Sequence, residues 1–136
     1  MFVRYALIAD AIFPGDKGKQ NISGTFTCVI AKKFPTSRRV FFLAKIEGSL
    51  SEEGEHDLRV DFVDDDFNKL LPSPNLQLKL SSEGRPVETI PLATDIVIEY
   101  EQLAIPKPGN YEFIITVNGR HLGSVPLYAR KEAETQ

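Results

Sequence analysis

Apolar and polar residues alternate along most of this chain at the two-residue period of a β-strand. The clearest run is residues 55–64, where Leu58, Val60 and Phe62 share one face and charged residues share the other. Similar runs, separated by short segments rich in Gly, Pro, Asp and Ser, predict about seven or eight strands. These cover residues 2–13, 21–31, 39–47, 55–64, 76–80 and 88–100, and the last two lie within residues 108–127.

Helical periodicity is weak, and the best candidate segment is residues 66–71, which Pro72 would end. Many short strands with little or no helix predict an all-β fold, an antiparallel β-sandwich of two sheets. A chain of 136 residues has the size of one domain. We therefore expect a single β-sandwich domain in residues 1–130 and a frayed polar tail in residues 131–136.

The segment PGNYEFIITVNGRHLGSVPL, residues 108–127, contains two strands and the turn that joins them. Asn118-Gly119 favours a two-residue type I′ turn, because both residues tolerate the positive φ that this turn requires. A regular ladder from this turn would place Val125 on the sheet face opposite to that of Phe113 and Ile115. We therefore expect a bulge near Gly123-Ser124 that resets the register. Pro126 has no N–H to donate, which predicts that the last strand is an edge strand.

Gly109, Tyr111 and Phe113 resemble the start of strand F in immunoglobulin-type sandwiches, where a tyrosine precedes the disulfide cysteine by two residues. Here Phe113 stands at the cysteine position, and the chain has no Trp. The resemblance implies an immunoglobulin-like sandwich that lacks the disulfide and the tryptophan. It also implies that Tyr111 is buried, with its hydroxyl bonded to backbone near residues 101–105.

Composition and charge argue against several partners and locations. The net charge is −3 and the basic residues are dispersed, so we expect no nucleic-acid partner. No segment has the length of a membrane span or the layout of a signal peptide, which predicts a cytoplasmic, bacterial protein without membrane association. The one cysteine, Cys28, excludes an internal disulfide. Its shared parity with Phe26 and Ile30 predicts a small buried side chain rather than a reactive thiol.

The acidic group Asp61, Asp64, Asp65 and Asp66 is the sharpest candidate for chemistry. Asp-rich loops bind Ca²⁺ because this ion prefers six to eight oxygen ligands. The alternative is a solvated turn whose Asp side chains bond their own backbone, and a single acidic loop favours the turn. Phosphate-binding and nucleophile-elbow spacings are absent from the sequence. We therefore expect no catalytic residue and no cofactor.

Two predicted strands are apolar on both faces. In the strand 39–47, Phe41 and Leu43 lie on one face, and Val40, Phe42, Ala44 and Ile46 lie on the other. In the first strand, Tyr5 and Leu7 lie on one face, and Ala6 and Ile8 lie on the other. A sandwich buries one face of each sheet, so the second face needs a cover. Either the loop 67–74 or the chain ends provide it, or a protein partner or second copy binds Phe41, Leu43, Tyr5 and Leu7.

Three segments together resemble a family of short, single-domain bacterial proteins of unknown function: ALIADAIFPGDKGKQNISGTF (6–26), GEHDLRVDFVDDD (54–66) and the closing hairpin. This resemblance implies a stand-alone cytoplasmic domain and carries over no catalytic residue. We therefore predict a non-enzymatic interaction or structural module, either a homodimer or bound to another protein. The alternatives are a sandwich that binds a small ligand or carbohydrate and, third, a carboxylate-dependent hydrolase.

Overall fold

The computed structural model describes residues 1–83, 85 and 87–133. This part of the chain forms ten β-strands in two sheets, so the predicted count of seven or eight is wrong. A single turn of 3₁₀ helix lies at Leu50–Glu52, and a tight turn at Asp16–Gly18 has positive φ at Lys17 and Gly18. The strands are β1 (Phe2–Pro14), β2 (Gln20–Phe26), β3 (Cys28–Ala31), β4 (Thr36–Gly48), β5 (Gly54–Val63), β6 (Lys69–Leu71), β7 (Leu76–Leu80), β8 (Leu92–Ile105), β9 (Gly109–Val117) and β10 (Arg120–Lys131).

The first sheet has the strand order β2-β1-β4-β8, and the second has the order β3-β10-β9-β5-β6, with β7 also paired to β5. Each described pair is antiparallel except β3 with β10, which run parallel. The predicted all-antiparallel arrangement is therefore wrong at this pair. The chain leaves the first sheet after Phe26 and joins the second at Cys28, so the predicted strand 21–31 is two strands.

The hydrophobic core lies between the two sheets and is centred on Phe113 of β9. Its ring contacts Phe42 of β4 and Tyr100 of β8, both from the first sheet, at centroid distances of 5.7 and 5.6 Å. Phe62, on the neighbouring strand β5, lies at 4.8 Å. Such tilted aromatic pairs stabilise beyond their buried area, and here they join the sheets.

The closing hairpin has the predicted turn and the predicted bulge. Asn118 and Gly119 have φ angles of 51° and 77°, as a type I′ turn requires. The register shifts between His121 and Gly123, so the bulge begins slightly before the expected Gly123-Ser124. As a result Val125 pairs with Phe113 on the core face, and it is buried.

The last strand is not an edge strand, so the prediction from Pro126 is wrong for β10 as a whole. Strand β3 pairs with β10 from Tyr128 onward. Pro126 itself lies opposite Glu112 of β9, two residues before that ladder begins. The missing N–H therefore falls where β3 has not yet joined β10.

Tyr111 is buried as predicted, with 2% of its surface exposed. Its hydroxyl donates to the carbonyl of Lys107 at 2.5 Å and accepts from the Lys107 N–H at 3.3 Å. The partner lies just past the expected residues 101–105, because β8 continues to Ile105 and residues 103–105 pair with β4.

Cys28 is exposed, so the prediction of a small buried side chain is wrong. Its neighbour Val29 is buried instead. The alternation seen in the sequence from Phe26 to Ile30 is interrupted at Thr27, where the chain passes between the sheets. The alternation of buried and exposed side chains in β2 therefore does not continue into β3.

Segment 66–71 is not a helix: a turn leads from Asp64 into the short strand β6. No helix among the described residues is long and apolar enough to cross a membrane. Strand β10 extends to Lys131, and the Glu132 N–H donates to the Ala31 carbonyl at 2.8 Å. The rest of the predicted frayed tail, residues 134–136, lies outside the described residues.

Candidate interaction surface

The chain itself covers part of the second face of the first sheet. Strand β1 pairs with β4 only as far as Ala9, whereas β1 and β2 stay paired to Pro14. We call residues 10–24 the hairpin arm. Ile12 of the arm is buried and packs in one cluster with Ala9 and Leu43. The arm therefore provides the cover that the sequence required.

The tip of the arm reaches across β4. Gln20 Nε2 lies 3.4 Å from Asp95 Oδ2 in β8, and β8 is on the side of β4 away from β1. In the β4–β8 ladder Asp95 lies opposite Lys45. Lys45 is two residues from Leu43 along β4, so both side chains are on the same sheet face. The Gln20–Asp95 contact thus fixes the arm over the face that carries Leu43.

This cover corrects the predicted interface at Leu43, which has 0% of its surface exposed and is closed to a partner. Phe41 and Leu7 are partly buried against the same cluster. Tyr5 is 40% exposed. The four residues share one sheet face, but they do not form one accessible surface. The hairpin arm, rather than loop 67–74 or the chain ends, buries Leu43 and packs against Leu7 and Phe41.

Asp64 of the acidic group is occupied by its own turn. One of its oxygens accepts from the N–H groups of Asp66 and Asn68, at 2.9 and 3.0 Å. Desolvation raises the pKa of Asp64, but hydrogen bonds from Asn68 and Asp66 outweigh it and leave the pKa below its usual value. Asp61 lies apart on β5, near Arg59 and Lys69.

Asp65 and Asp66 are exposed in the same turn. Within residues 1–83, 85 and 87–133, no three His, Cys, Asp or Glu side chains are grouped to hold a metal ion. The geometry is that of a solvated Asx turn.

A cleft of about 670 Å³, which the sequence did not predict, lies beside residues 48–52. Its apolar lining includes Phe2, Leu50 and Ile90. Beside it, Glu52 accepts from the Met1 ammonium at 2.9 Å and from the Ser49 N–H at 3.0 Å. These bonds lower the pKa of Glu52 to about 2. The S-x-x-E spacing of a capping box was the available sequence signal.

Strand edges are the other surfaces through which a β-protein binds partners, and most edges here are short or interrupted. Strand β3 has four residues and β6 has three. Pro72 and Pro74 separate β6 from β7, and in that gap the Ser73 hydroxyl accepts the Val60 N–H at 2.8 Å. Strand β2 contains Gly24 with a φ of 71°. Each of these features protects an edge against pairing with another chain.

Strand β8 has none of these protections. It has 14 residues without Pro, and it pairs with β4 along one side only. Its register with β4 is regular from Leu92 to Tyr100, and a bulge follows at Glu101-Gln102. We call residues 92–100 the β8 edge. Strand β7 of the second sheet approaches β8 without forming a ladder with it. Among the described strands, the β8 edge is therefore the one long edge without a hydrogen-bonded neighbour.

The side chains of the β8 edge differ between its two faces. Ile96 and Ile98 point to the core and are only partly buried there. Asp95, Val97 and Glu99 point outward, and Val97 is 41% exposed. The core is therefore partly open along this edge, and the outer face beside the opening is acidic.

The comparisons with known proteins add a family but no function. A family model described as a family of unknown function (DUF6941) matches residues 4–130. No curated protein matches the chain. Among solved structures, the chain resembles the Pseudomonas fluorescens alkylpurine DNA glycosylase AlkC bound to DNA containing an abasic site analog, with 13% identity and a TM-score of 0.42. The match covers 95% of this chain and 30% of that one.

Proposed function

Because the chain belongs to the DUF6941 family, a family of unknown function, we propose a function from the surface just described. The chain is a non-enzymatic protein-interaction module, and its partner adds a β-strand to the β8 edge. The observation that carries this proposal is the length of that edge beside the short or broken edges of β2, β3, β6 and β7.

Backbone geometry supports the proposal. In an antiparallel strand the N–H and C=O of one residue point to one side, and those of the next residue point to the other. Every second residue of the β8 edge therefore directs both groups away from β4. An extended segment that pairs with these groups gains main-chain hydrogen bonds, as in other cases of strand addition. The added strand would also cover Ile96 and Ile98.

The finer fold assignment belongs to the same proposal: the sandwich is immunoglobulin-like. The orders β1-β4-β8 and β10-β9-β5 correspond to strands A-B-E and G-F-C of that fold. Tyr111, near the start of β9, bonds back to the corner that precedes it. The cytoplasm as its location is supported by the exposed thiol of Cys28, which suits a reducing compartment.

A small-ligand site is the second candidate, favoured by the cleft beside Phe2, Leu50 and Ile90. Its volume of about 670 Å³ falls within the range of ligand pockets. The hydrolase hypothesis gains less support there, because the pKa of Glu52 is lowered whereas a general acid needs a raised one.

The experiment is affinity capture from a lysate of the source organism with two proline variants of the full chain. Thr94 and Val97 have opposite parity, so one of their N–H groups faces β4 and the other faces the open edge. Pro at the first kind of position breaks the β4 ladder and lowers Tm, whereas Pro at the second removes only an edge donor. Melting curves of Thr94→Pro and Val97→Pro identify which of the two N–H groups faces β4 and which faces the open edge.

We expect the proline variant that keeps the wild-type Tm to lose the partner that the wild-type chain captures. Ile22→Lys, on the opposite edge strand of the same sheet, is the matched control and should retain it. The proposal is contradicted if the stable proline variant captures the same proteins as the wild type, or if the wild type captures none.

A further inference from the structure

We infer that the partner strand at the β8 edge alternates apolar residues, facing the core, with Lys or Arg residues, facing outward. This inference rests on the proposed function and adds the chemistry of the partner. It follows from the two faces of β8, because side chains of a paired strand lie on the same face as those opposite them.

The inward positions of the partner must be apolar. Ile96 and Ile98 pack against the core from β8 but remain partly exposed at its open side. Strand spacing places an added strand about 4.8 Å from β8, so its inward side chains would lie against these two isoleucines. A polar side chain there would lose its hydration without gaining a hydrogen-bond partner.

The outward positions face acidic side chains. Glu99 on the outer face of the β8 edge and Glu101 just beyond it are exposed, whereas Asp95 on the same face is half-buried beside Gln20 of the arm. The nearest cations belong to β4: Arg39 forms an ion pair with Glu99, and Lys45 lies opposite Asp95 in the ladder. An added strand would lie on the side of β8 away from β4. Its side chains would therefore be one strand spacing from the acids of β8 and two strand spacings from the cations of β4.

A second copy of this chain brings no cation to the edge, because β8 contains neither Lys nor Arg, and two of its registers set acid against acid. An antiparallel pair of β8 strands centred on Val97 would set Asp95 of one copy opposite Glu99 of the other. Centring the pair on Ile98 would set Asp95 opposite Glu101. Like charges directly opposite each other destabilise a ladder. A basic segment of a different protein avoids this repulsion.

The test uses two blocked nine-residue peptides as probes, one alternating Lys with Val and the other alternating Glu with Val. Hydrogen exchange of the full chain locates binding, because an added strand protects edge amides of residues 92–100 and leaves those of β2 unchanged. Binding curves at low and at high salt give the preference between the peptides. We expect the Lys peptide to bind about tenfold more tightly at low salt, and less so as salt rises.

A charge variant shows which residues cause the preference. Replacing Glu99→Gln together with Glu101→Gln should bring the two peptides close to equal affinity. The control replaces Glu55→Gln and Glu112→Gln, which lie on strands of the second sheet, and should keep the preference. An unchanged preference in the first variant would overturn the inference.

The remaining outcomes separate this inference from the proposed function. Equal or tighter binding of the Glu peptide with protection of residues 92–100 would overturn the basic partner but support strand addition. Protection that rises with protein concentration alone would make a second copy the occupant and overturn the inference. Binding of neither peptide would also overturn the inference of a basic partner strand. The proline variants test strand addition separately.

Discussion

Gln20 in β2 lies 3.4 Å from Asp95 in β8, although β1 and β4 separate these two strands in the order of the sheet. The contact exists because the hairpin arm folds back over the outer face of β4. The first sheet therefore buries apolar side chains on both faces: a large core faces the second sheet, and a small cluster around Leu43 lies under the arm.

Truncating Leu43 should destabilise the isolated chain. Leu43→Ala leaves a cavity under the arm, and buried Leu→Ala changes cost about 2–5 kcal/mol. Val97→Ala, on the paired strand but 41% exposed, should cost far less. Urea unfolding at two protein concentrations measures both. A loss of stability that depends on protein concentration would show that Leu43 is buried by a second copy and contradict the arm as its cover.

The position of the arm should depend on Gly24, whose φ is 71° and which lies against Asp10. In Gly24→Ala the added Cβ meets the Asp10 carboxylate, which is also paired with Arg38. We expect a loss of about 1–3 kcal/mol and faster proteolysis within residues 10–24. Gly18→Ala is the control: its φ is 74°, but nothing lies within 4 Å of its Cβ. Equal losses in both variants would mean that backbone strain alone is responsible.

Two buried tyrosines should respond in opposite ways to loss of the hydroxyl. Tyr111→Phe removes two hydrogen bonds to Lys107 and should cost about 1–2 kcal/mol. The Tyr100 hydroxyl is buried without a hydrogen-bond partner in the described part of the chain. Tyr100→Phe should therefore be neutral or stabilising. Thermal unfolding measures both, and a larger loss in Tyr100→Phe than in Tyr111→Phe would contradict these contacts.

Stability should fall in acid partly through Glu52. Hydrogen bonds from the Met1 ammonium and Ser49 lower its pKa from 4.5 to about 2 in the folded chain. A lowered folded-state pKa stabilises the fold above the unfolded-state pKa, and this contribution is lost as pH falls from about 4.5 toward 2. Glu52→Gln should flatten the stability curve in that window, with Glu53→Gln as the control. Parallel curves for wild type and Glu52→Gln would contradict this role.

Features set by neighbouring residues could be predicted from the sequence. Asn118 and Gly119 favour the turn because both tolerate positive φ. The alternation of apolar and charged residues through Val60 and Phe62 shows which face of β5 is buried. The register conflict in the closing hairpin even predicted a bulge, because the face of Val125 is decided within one strand pair. The all-β class followed from these local patterns.

Features that depend on distant contacts could not be predicted. The alternation from Phe26 to Ile30 is the same whether the chain stays in one sheet or crosses at Thr27, so the exposure of Cys28 was missed. Apolar residues on both faces of β4 correctly demanded a cover, but the sequence does not say which segment supplies it. The β8 edge depends on strand order, which emerges only when all strands are placed.

The distribution of the sheets along the chain sets an order for folding during synthesis. Every strand of the first sheet lies before residue 106, whereas β9 and β10, which connect β3 to β5 in the second sheet, lie in residues 109–131. A nascent chain can therefore assemble the first sheet early, but β3 finds its partner only after residues 128–131 have left the ribosome. Until then Phe42 and Tyr100 lack their contact with Phe113, so the core face of the first sheet stays exposed on the ribosome-bound chain.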